Sequence, residues 1–318
     1  MIRPTTMSAK VEQYLKFRRS LGYRLWIEGQ QLKQFAAFAD AAGHRGPLTT
    51  ALALRWARLP KGRDPLYWAR RLEVVRCFAR HLAATEPGTE VPARRLLGPA
   101  HRRTTPYIYS RDELASLVAA AGKLNPPGGL RPRTYATLIG LLACAGLRIS
   151  EALHLTQADA DLKDGVLKIR QTKFRKTRLV PLHPTAVASL RKYVLARDRL
   201  VAKTQCDRFF VSAQGLAIPY STIRTVFRKL CSSLRITNPN RRRPRLHDLR
   251  HTFACQRVEC WYAAGIDLAH AVSALSVYLG HAKVSDTYWY LTATPTLMAR
   301  AAERFESVAR PTTGEVRR

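Results

Sequence analysis

The chain has 318 residues, with 54 Lys and Arg against 22 Asp and Glu, a formal charge of +32 and a pI near 10.9. An imbalance of that size exceeds what solubility requires and implies a polyanionic partner, while 46% hydrophobic residues is more core than a ribosomal or histone-like protein carries. No apolar run approaches the ~18 residues of a membrane span and no N-terminal signal precedes Met7, so a soluble, cytoplasmic protein without a membrane partner is expected.

The length suggests two domains. Six cysteines (Cys77, Cys144, Cys206, Cys231, Cys255 and Cys260) lie far apart without a Cys-x-x-Cys pair, so neither a zinc site nor a disulfide framework is indicated. Most fall in apolar helical patterns, which predicts reduced, buried thiols.

In chain order, residues 8–21 read as a helix with Ser8 as N-cap and Gly22 just past its end. A second helix spans about 25–41 and buries Leu25, Leu32, Phe35 and either Phe38 or Ala39. Thr49 or Thr50 caps a short third helix that runs through Trp56 and is stopped by Pro60. Asp64-Pro65 is an N-cap and N1 pair opening a fourth, in which Leu72, Val75, Ala79 and Leu82 form a stripe. Residues 1–86 therefore read as a small all-α domain. Its outward faces are assigned Arg18, Arg19, Lys33, Arg55, Arg58, Arg70, Arg71, Arg76 and Arg80, and their nearly single sign argues for DNA.

Residues 87–109 read as a linker. Pro87, Pro92, Pro99 and Pro106, with Gly88 and Gly98, prevent a helix, and Arg94, Arg95, Arg102 and Arg103 are suited to tracking phosphates. Ser110-Arg-Asp-Glu113 is a capping box at the head of the next helix. Pro126-Pro-Gly-Gly129 separates it from an apolar helix over 135–144. A β-hairpin follows, with strands over 166–172 and 178–182 and the basic turn Lys173-Phe-Arg-Lys176 between them. Helices are predicted at about 184–202 and 221–234, then a basic patch at Arg241-Arg-Arg-Pro-Arg245. Residues 110–318 are thus expected to be mostly helical with a small antiparallel sheet.

The densest chemistry lies near the end. His247 and Arg250 stand three apart in an apolar-periodic run and share a face if it is helical. Leu268, Val272, Leu275 and Leu279 have the spacing of a helix with one buried stripe. Gly280 fits its C-terminus, leaving His281 on the turn beyond. Tyr290 comes nine residues later. Pro295 precedes a predicted helix over 296–308 with Leu297, Ala301 and Phe305 on one side. Upstream, Gly146-Leu-Arg148-Ile-Ser-Glu151 places Arg148 where one helix ends and another begins.

Taken in order, Arg148, the hairpin lysine, His247-x-x-Arg250, Leu-Gly-His281 and Tyr290 resemble the tyrosine recombinases of the phage integrase family. The resemblance covers the whole second domain, and the helical first domain with its basic linker is similar to that family's core-binding domain. It implies that Arg148 and Arg250 hold the non-bridging oxygens of the scissile phosphate, where planar donor forks suit a phosphorane-like charge. It implies His247 as general base or hydrogen-bond donor, His281 as a second imidazole on the phosphate, and Lys173 as the acid that protonates the departing 5′ oxygen. Glu151 fills the acidic position and would orient the site. Tyr290 would be the nucleophile of a 3′-phosphotyrosyl bond. Lys176 is a second candidate acid and Tyr288 a second phenol. His251 reads as a packing or hydrogen-bonding neighbour of Arg250.

The chemistry implied needs no cofactor or metal, and the chain has neither a Walker A loop nor a two-metal carboxylate cluster. The implied partners are double-stranded DNA and other recombinase protomers, identical or sister chains, in a tetramer on synapsed sites, at the bacterial nucleoid. Residues 285–295 resemble recombinases carried on mobile elements, which suggests integration or transposition. A type IB topoisomerase, or an accessory subunit that only positions another recombinase, is the alternative. The stretch between Arg250 and His281 is several residues longer than in compact members of the family.

Overall fold

The computed structural model describes residues 6–101, 105–170, 177–237 and 243–288, with 299 and 302. The chain divides into two compact units, Met1–Thr104 and Thr105–Arg318.

The first unit holds α1 (Met7–Ser20), α2 (Trp26–Ala41), α3 (Thr50–Arg58) and α4 (Pro65–Leu82). The caps are local. Thr49 accepts from Leu52 N and Asp64 from Leu66 N ahead of Pro65. Thr6, not Ser8, caps α1, because the Ser8 hydroxyl is drawn to the Asp40 carboxylate instead. Leu15, Leu32, Phe35, Ala39, Trp56, Val75 and Phe78 close the core, and Phe35 meets Trp56 edge-on with centroids 5.4 Å apart.

Two of the arginines expected on outward faces are buried. The Arg71 guanidinium lies 3.6 Å from the centre of the Trp56 ring and Nη2 donates to the Trp56 carbonyl. Arg76 Nε donates to the Pro92 carbonyl at 2.9 Å. Each cation is desolvated but supplied with an acceptor, and Arg71 also with an aromatic face, so both act in folding.

The second unit holds α5 (Arg111–Gly122), α6 (Leu130–Ala145), α7 (Ile149–His154), β1 (Ala160–Asp161), β2 (Val166–Ile169), β3 (Arg178–Pro181), α8 (Pro184–Leu200), α9 (Tyr220–Ser233), α10 (Leu246–Ala263), α11 (Leu268–Leu279) and α12 (Ser285–Tyr288). The capping box at Ser110 and Glu113 is formed as predicted. Packed against α5, α8 and α10, α6 buries Leu130, Tyr135, Leu138, Ile139, Leu141 and Leu142. It starts five residues earlier than predicted. Pro132 is tolerated because it sits in the first turn, where an amide has no intrahelical partner to lose.

The sheet is antiparallel in the order β1-β2-β3, with Leu167 opposite Val180 and Ile169 opposite Arg178. Leu167, Ile169 and Val180 face the core. Predicted to run to residue 172, β2 leaves β-structure at Arg170, whose side chain pairs with Asp159. With two residues, β1 is too short to show an alternating pattern. Of the thiols, only Cys231 and Cys255 are buried, fewer than predicted.

The expectation of a mainly helical fold with a small antiparallel sheet is met. Among the described residues no helix is long and apolar enough to cross a membrane. The hairpin turn, residues 241 and 242 of the basic patch and the predicted helix over 296–308 (apart from residues 299 and 302) lie outside the described residues.

Candidate active site

The site is built where the ends of three elements meet: the turn after α6, the start of β3 and the C-terminus of α11. Gly146 closes α6 in the left-handed region at φ 58°, its amide donating to the Leu142 carbonyl. A Cβ there would stand 2.3 Å from Phe253 Cδ1, so α10 can approach the turn only because the residue is glycine. Arg148, two residues on, is the N-cap of α7. Its amide donates to Glu151 Oε2 at 2.9 Å and its Nη1 to Oε1 at 2.8 Å.

Glu151 is also gripped by Arg178, with Nη1 3.0 Å from Oε1 and Nη2 2.8 Å from Oε2. Burial alone would raise this carboxyl, but hydrogen bonds and charge from Arg178, then Arg148, outweigh it and hold it at about 2. The third cation is Arg250, 1% exposed, with Nη1 4.0 Å from Glu151 Oε2.

The same guanidinium groups gather the carbonyls that α11 leaves open at its end. Arg178 Nε donates to Tyr278 O at 2.7 Å, Arg250 Nη2 to Leu279 O at 2.6 Å, and Arg148 Nη2 to Gly280 O at 3.2 Å. Arg250 Nη1 adds the Gly146 carbonyl at 2.9 Å. A helix C-terminus carries partial negative charge, which favours cations there. Gly280 is left-handed at φ 68°, and a Cβ would come within 2.8 Å of Arg178 Nη1. Three guanidinium groups face one carboxylate, so the cluster keeps an excess of positive charge suited to an anion.

Three imidazoles border it. His247, Arg250 and His251 fall at i, i+3 and i+4 of α10, and the two rings meet edge-on 4.8 Å apart. His247 is lowered to about 4, first by burial, then by the charges of Arg250 and Arg245. His251 is lowered to about 3 by burial, then by His247, Arg245, Arg250 and His281. His281, on the turn after Gly280, is lowered to about 4 by burial and then by Arg250 and Arg148. All three are neutral near pH 7 and so can both donate and accept hydrogen bonds. The start of α10 is fixed by Asp248, 2% exposed, which accepts from Arg245 N at 2.8 Å and from its Nη2 at 2.7 Å.

The structure thus brings Arg148, Glu151, His247, Arg250 and His281 into one cluster. Lys173, Lys176 and Tyr290 lie outside the described residues; Tyr288 is described and is 48% exposed. Sequence reasoning passed over Arg178, Asp248 and Thr287, whose hydroxyl lies 2.8 Å from His281 Nδ1. His251, read as a packing or hydrogen-bonding neighbour, does pack edge-on against the His247 ring. A signal for Arg178 existed: it shares the inward face of β3 with Val180, and an inward arginine needs a buried partner. Among the described residues no group of three or more His, Cys, Asp or Glu is placed to hold a metal ion.

The Phage integrase family matches residues 109–296. Integrase/recombinase y4rB of Sinorhizobium fredii is 40% identical over 309 residues, covering 95% of this chain and 98% of that protein. Tyrosine recombinase XerD of Caulobacter vibrioides is 33% identical over 230 residues, 72% of each chain. In fold the chain is similar to the Tn1549 transposon integrase in complex with transposon right end DNA, at TM-score 0.69 and 14% identity over 95% of this chain and all (100%) of that one. It is similar also to the XerH recombinase bound to a palindromic difH substrate, at TM-score 0.65 and 16% identity over 94% of this chain and 85% of that one. With the family match spanning the whole arginine and imidazole cluster, the chain belongs to the phage integrase family, the tyrosine-type site-specific recombinases that break and rejoin DNA.

Proposed function

We propose that the cluster around Glu151 holds the scissile phosphate of duplex DNA, with Arg148 and Arg250 on its non-bridging oxygens. The observation that carries this reading is the convergence of Arg148, Arg178 and Arg250 on a single carboxylate and on the carbonyls closing α11. Those acceptors hold the planar forks in place before substrate arrives, so little reorganisation is needed as charge develops on the phosphoryl oxygens. Glu151 and Arg178 orient the forks. His247 and His281, neutral and bordering the arginines, supply hydrogen bonds to the same group.

In the proposed reaction the Tyr290 hydroxyl attacks phosphorus as its proton passes to His247, the neutral imidazole that the resemblance assigns as general base. The bond from phosphorus to the 5′ oxygen breaks, and Lys173 delivers a proton to that oxygen. The products are a 3′-phosphotyrosyl bond and a free 5′ hydroxyl; in rejoining, a 5′ hydroxyl attacks a phosphotyrosine on a partner strand, the phosphorus–tyrosine bond breaks, and the tyrosine leaves and takes up a proton. The first unit and the basic stretch over 87–109 grip the duplex as a core-binding domain, and protomers assemble as a tetramer on paired sites. The resemblance of residues 285–295 to recombinases of mobile elements points to integration or transposition, carried out on DNA in the bacterial cytoplasm.

A nicked suicide substrate tests this reading by trapping the covalent protein–DNA adduct. The wild-type chain and Tyr288→Phe form it, Tyr290→Phe does not, and excess EDTA leaves it unchanged. An adduct that persists in Tyr290→Phe and vanishes in Tyr288→Phe moves the nucleophile.

A further inference from the structure

We propose that Thr287 is a positioning residue that sets the tautomer of His281, so that this imidazole presents an N–H to the phosphate. The inference rests on the reading of His281 as a phosphate contact and deepens it.

Thr287 lies in α12 with 0% exposure, and its Oγ1 is 2.8 Å from His281 Nδ1. A hydroxyl sealed from water has to donate somewhere, and among the described residues Nδ1 is the one acceptor it reaches. Burial and the charges of Arg250, Arg148 and Arg178, opposed by Asp286, keep the ring neutral, so it carries one proton. With Nδ1 accepting from Thr287, that proton sits on Nε2. The Nε2–H form can donate to an anionic oxygen. The opposite tautomer would turn a lone pair towards it.

The arrangement also ties the two ends of the segment together. His281 is anchored by its amide to the Ser276 carbonyl at the end of α11, and Thr287 by its amide to the Val284 carbonyl. In sequence Thr287 lies three residues before Tyr290. The hydroxyl that gives the imidazole its donor form therefore stands on the stretch of sequence that leads to the tyrosine.

The test uses the full chain, with Thr287→Val, which keeps the shape and removes the hydroxyl, and Thr287→Ser, which keeps the hydroxyl. Histidine labelled with ¹⁵N reports the tautomer, the His281 signal being identified by its loss in His281→Gln. The wild type and Thr287→Ser should show Nε2 protonated and Nδ1 bare, and Thr287→Val should show a mixture. Thr287→Val should bind a duplex site as the wild type does and form the suicide-substrate adduct about tenfold more slowly, the effect of losing one hydrogen bond of ordinary strength in the transition state. Thr287→Ser should restore the rate, and Thr287→Val should slow His281→Gln no further. A proton on Nδ1 in the wild type overturns the proposal and needs no variant to be seen. Equal slowing in Thr287→Ser and Thr287→Val with the tautomer unchanged also overturns it, because the side chain would then act by packing alone. A tautomer that shifts in Thr287→Val while cleavage stays at the wild-type rate supports the control by Thr287 and removes His281 from the phosphate.

Discussion

Arg178 and Glu151 meet as a two-pronged pair, Nη1 to Oε1 at 3.0 Å and Nη2 to Oε2 at 2.8 Å, joining the first residue of β3 to the first turn of α7. Both side chains are nearly sealed from water, at 10% and 6% exposure. Removing one partner of such a pair strands the other, which typically costs about 3–5 kcal/mol. Glu151→Gln should be the worse of the two losses, because it leaves Arg148, Arg178 and Arg250 facing one another. Urea unfolding at neutral pH should place Glu151→Gln and Arg178→Met well below the wild type. The double variant should lose less than the sum of the singles. Additive losses would show that the pair does not act as a unit.

Acid should weaken the fold in two windows. His247, His251 and His281 are lowered to about 4, 3 and 4, against ~6.5 in an unfolded chain. The unfolded state therefore binds more protons than the folded one between those values. The stability held by the neutral imidazoles is complete above ~6.5 and is lost as pH falls towards ~4. Glu151, held at about 2 in the fold against 4.5 as its ordinary value, adds a loss of the same sign below ~4.5. Between about pH 7 and 5 the cost should be of order 1 kcal/mol each for His247 and His251, and less for the half-buried His281, where water screens the charge. Urea midpoints measured across that range should fall, and His251→Asn should flatten the slope. A midpoint independent of pH would mean that the imidazoles are not held neutral.

Much of the helical frame was legible because its signals are local. Thr49, Asp64-Pro65, Ser110-Glu113, Gly146 and Gly280 each fix a helix end with atoms a few residues away. Arg148, Glu151, His247, Arg250 and His281 were found through a pattern of residue types in order. What no pattern carried was how that set is held. Arg178 is tied to a carbonyl 100 residues away in sequence, that of Tyr278, and Arg250 to the Gly146 carbonyl across 104. Arg71 and Arg76 misled for the same reason: an arginine on a helix reads as solvated until the Trp56 ring or the Pro92 carbonyl is known to cover it.

Gly146 separates two costs that a substitution usually mixes. Gly146→Ala has to adopt φ 58° and also place a methyl 2.3 Å from Phe253 Cδ1. Gly43→Ala faces a similar φ of 69° with nothing within 4 Å. Backbone strain alone should cost Gly43→Ala about 1 kcal/mol, and overpacking should add about 1–3 kcal/mol at Gly146. Thermal or urea unfolding of the two variants reads the difference. Adding Phe253→Leu should recover part of the loss at Gly146 and none at Gly43. Equal losses would mean that α10 can move away from the turn.

The charge of +32 should appear as salt dependence. Each phosphate neutralised by Lys or Arg releases condensed counterions, so log affinity falls with log salt at a slope near −0.9 per contact. Gel shifts on a duplex site should weaken steeply between low and moderate salt. Neutralising Arg94 and Arg95 should make the slope shallower. Arg71→Met should change stability instead, since that guanidinium is committed to Trp56. Affinity that stays flat with salt would contradict the electrostatic reading.

The final prediction concerns Lys173, proposed as the general acid. A 5′ alkoxide is a poor leaving group near neutral pH, so cleavage requires a proton delivered in the transition state, a contribution of typically ~10²–10⁴-fold. Lys173→Ala should therefore bind DNA nearly normally and cleave slowly. Sulfur in place of the bridging 5′ oxygen leaves without a proton, and it should restore most of the rate to Lys173→Ala. It should not rescue Arg148→Ala or Arg250→Ala, whose loss lies in neutralising the phosphoryl oxygens. Lys176, three residues on in the same turn, is the internal control. Rescue of Lys176→Ala without rescue of Lys173→Ala would transfer the proton to the second lysine. Rescue of neither, with both variants slow, would place both lysines in binding and leave the leaving group to another donor.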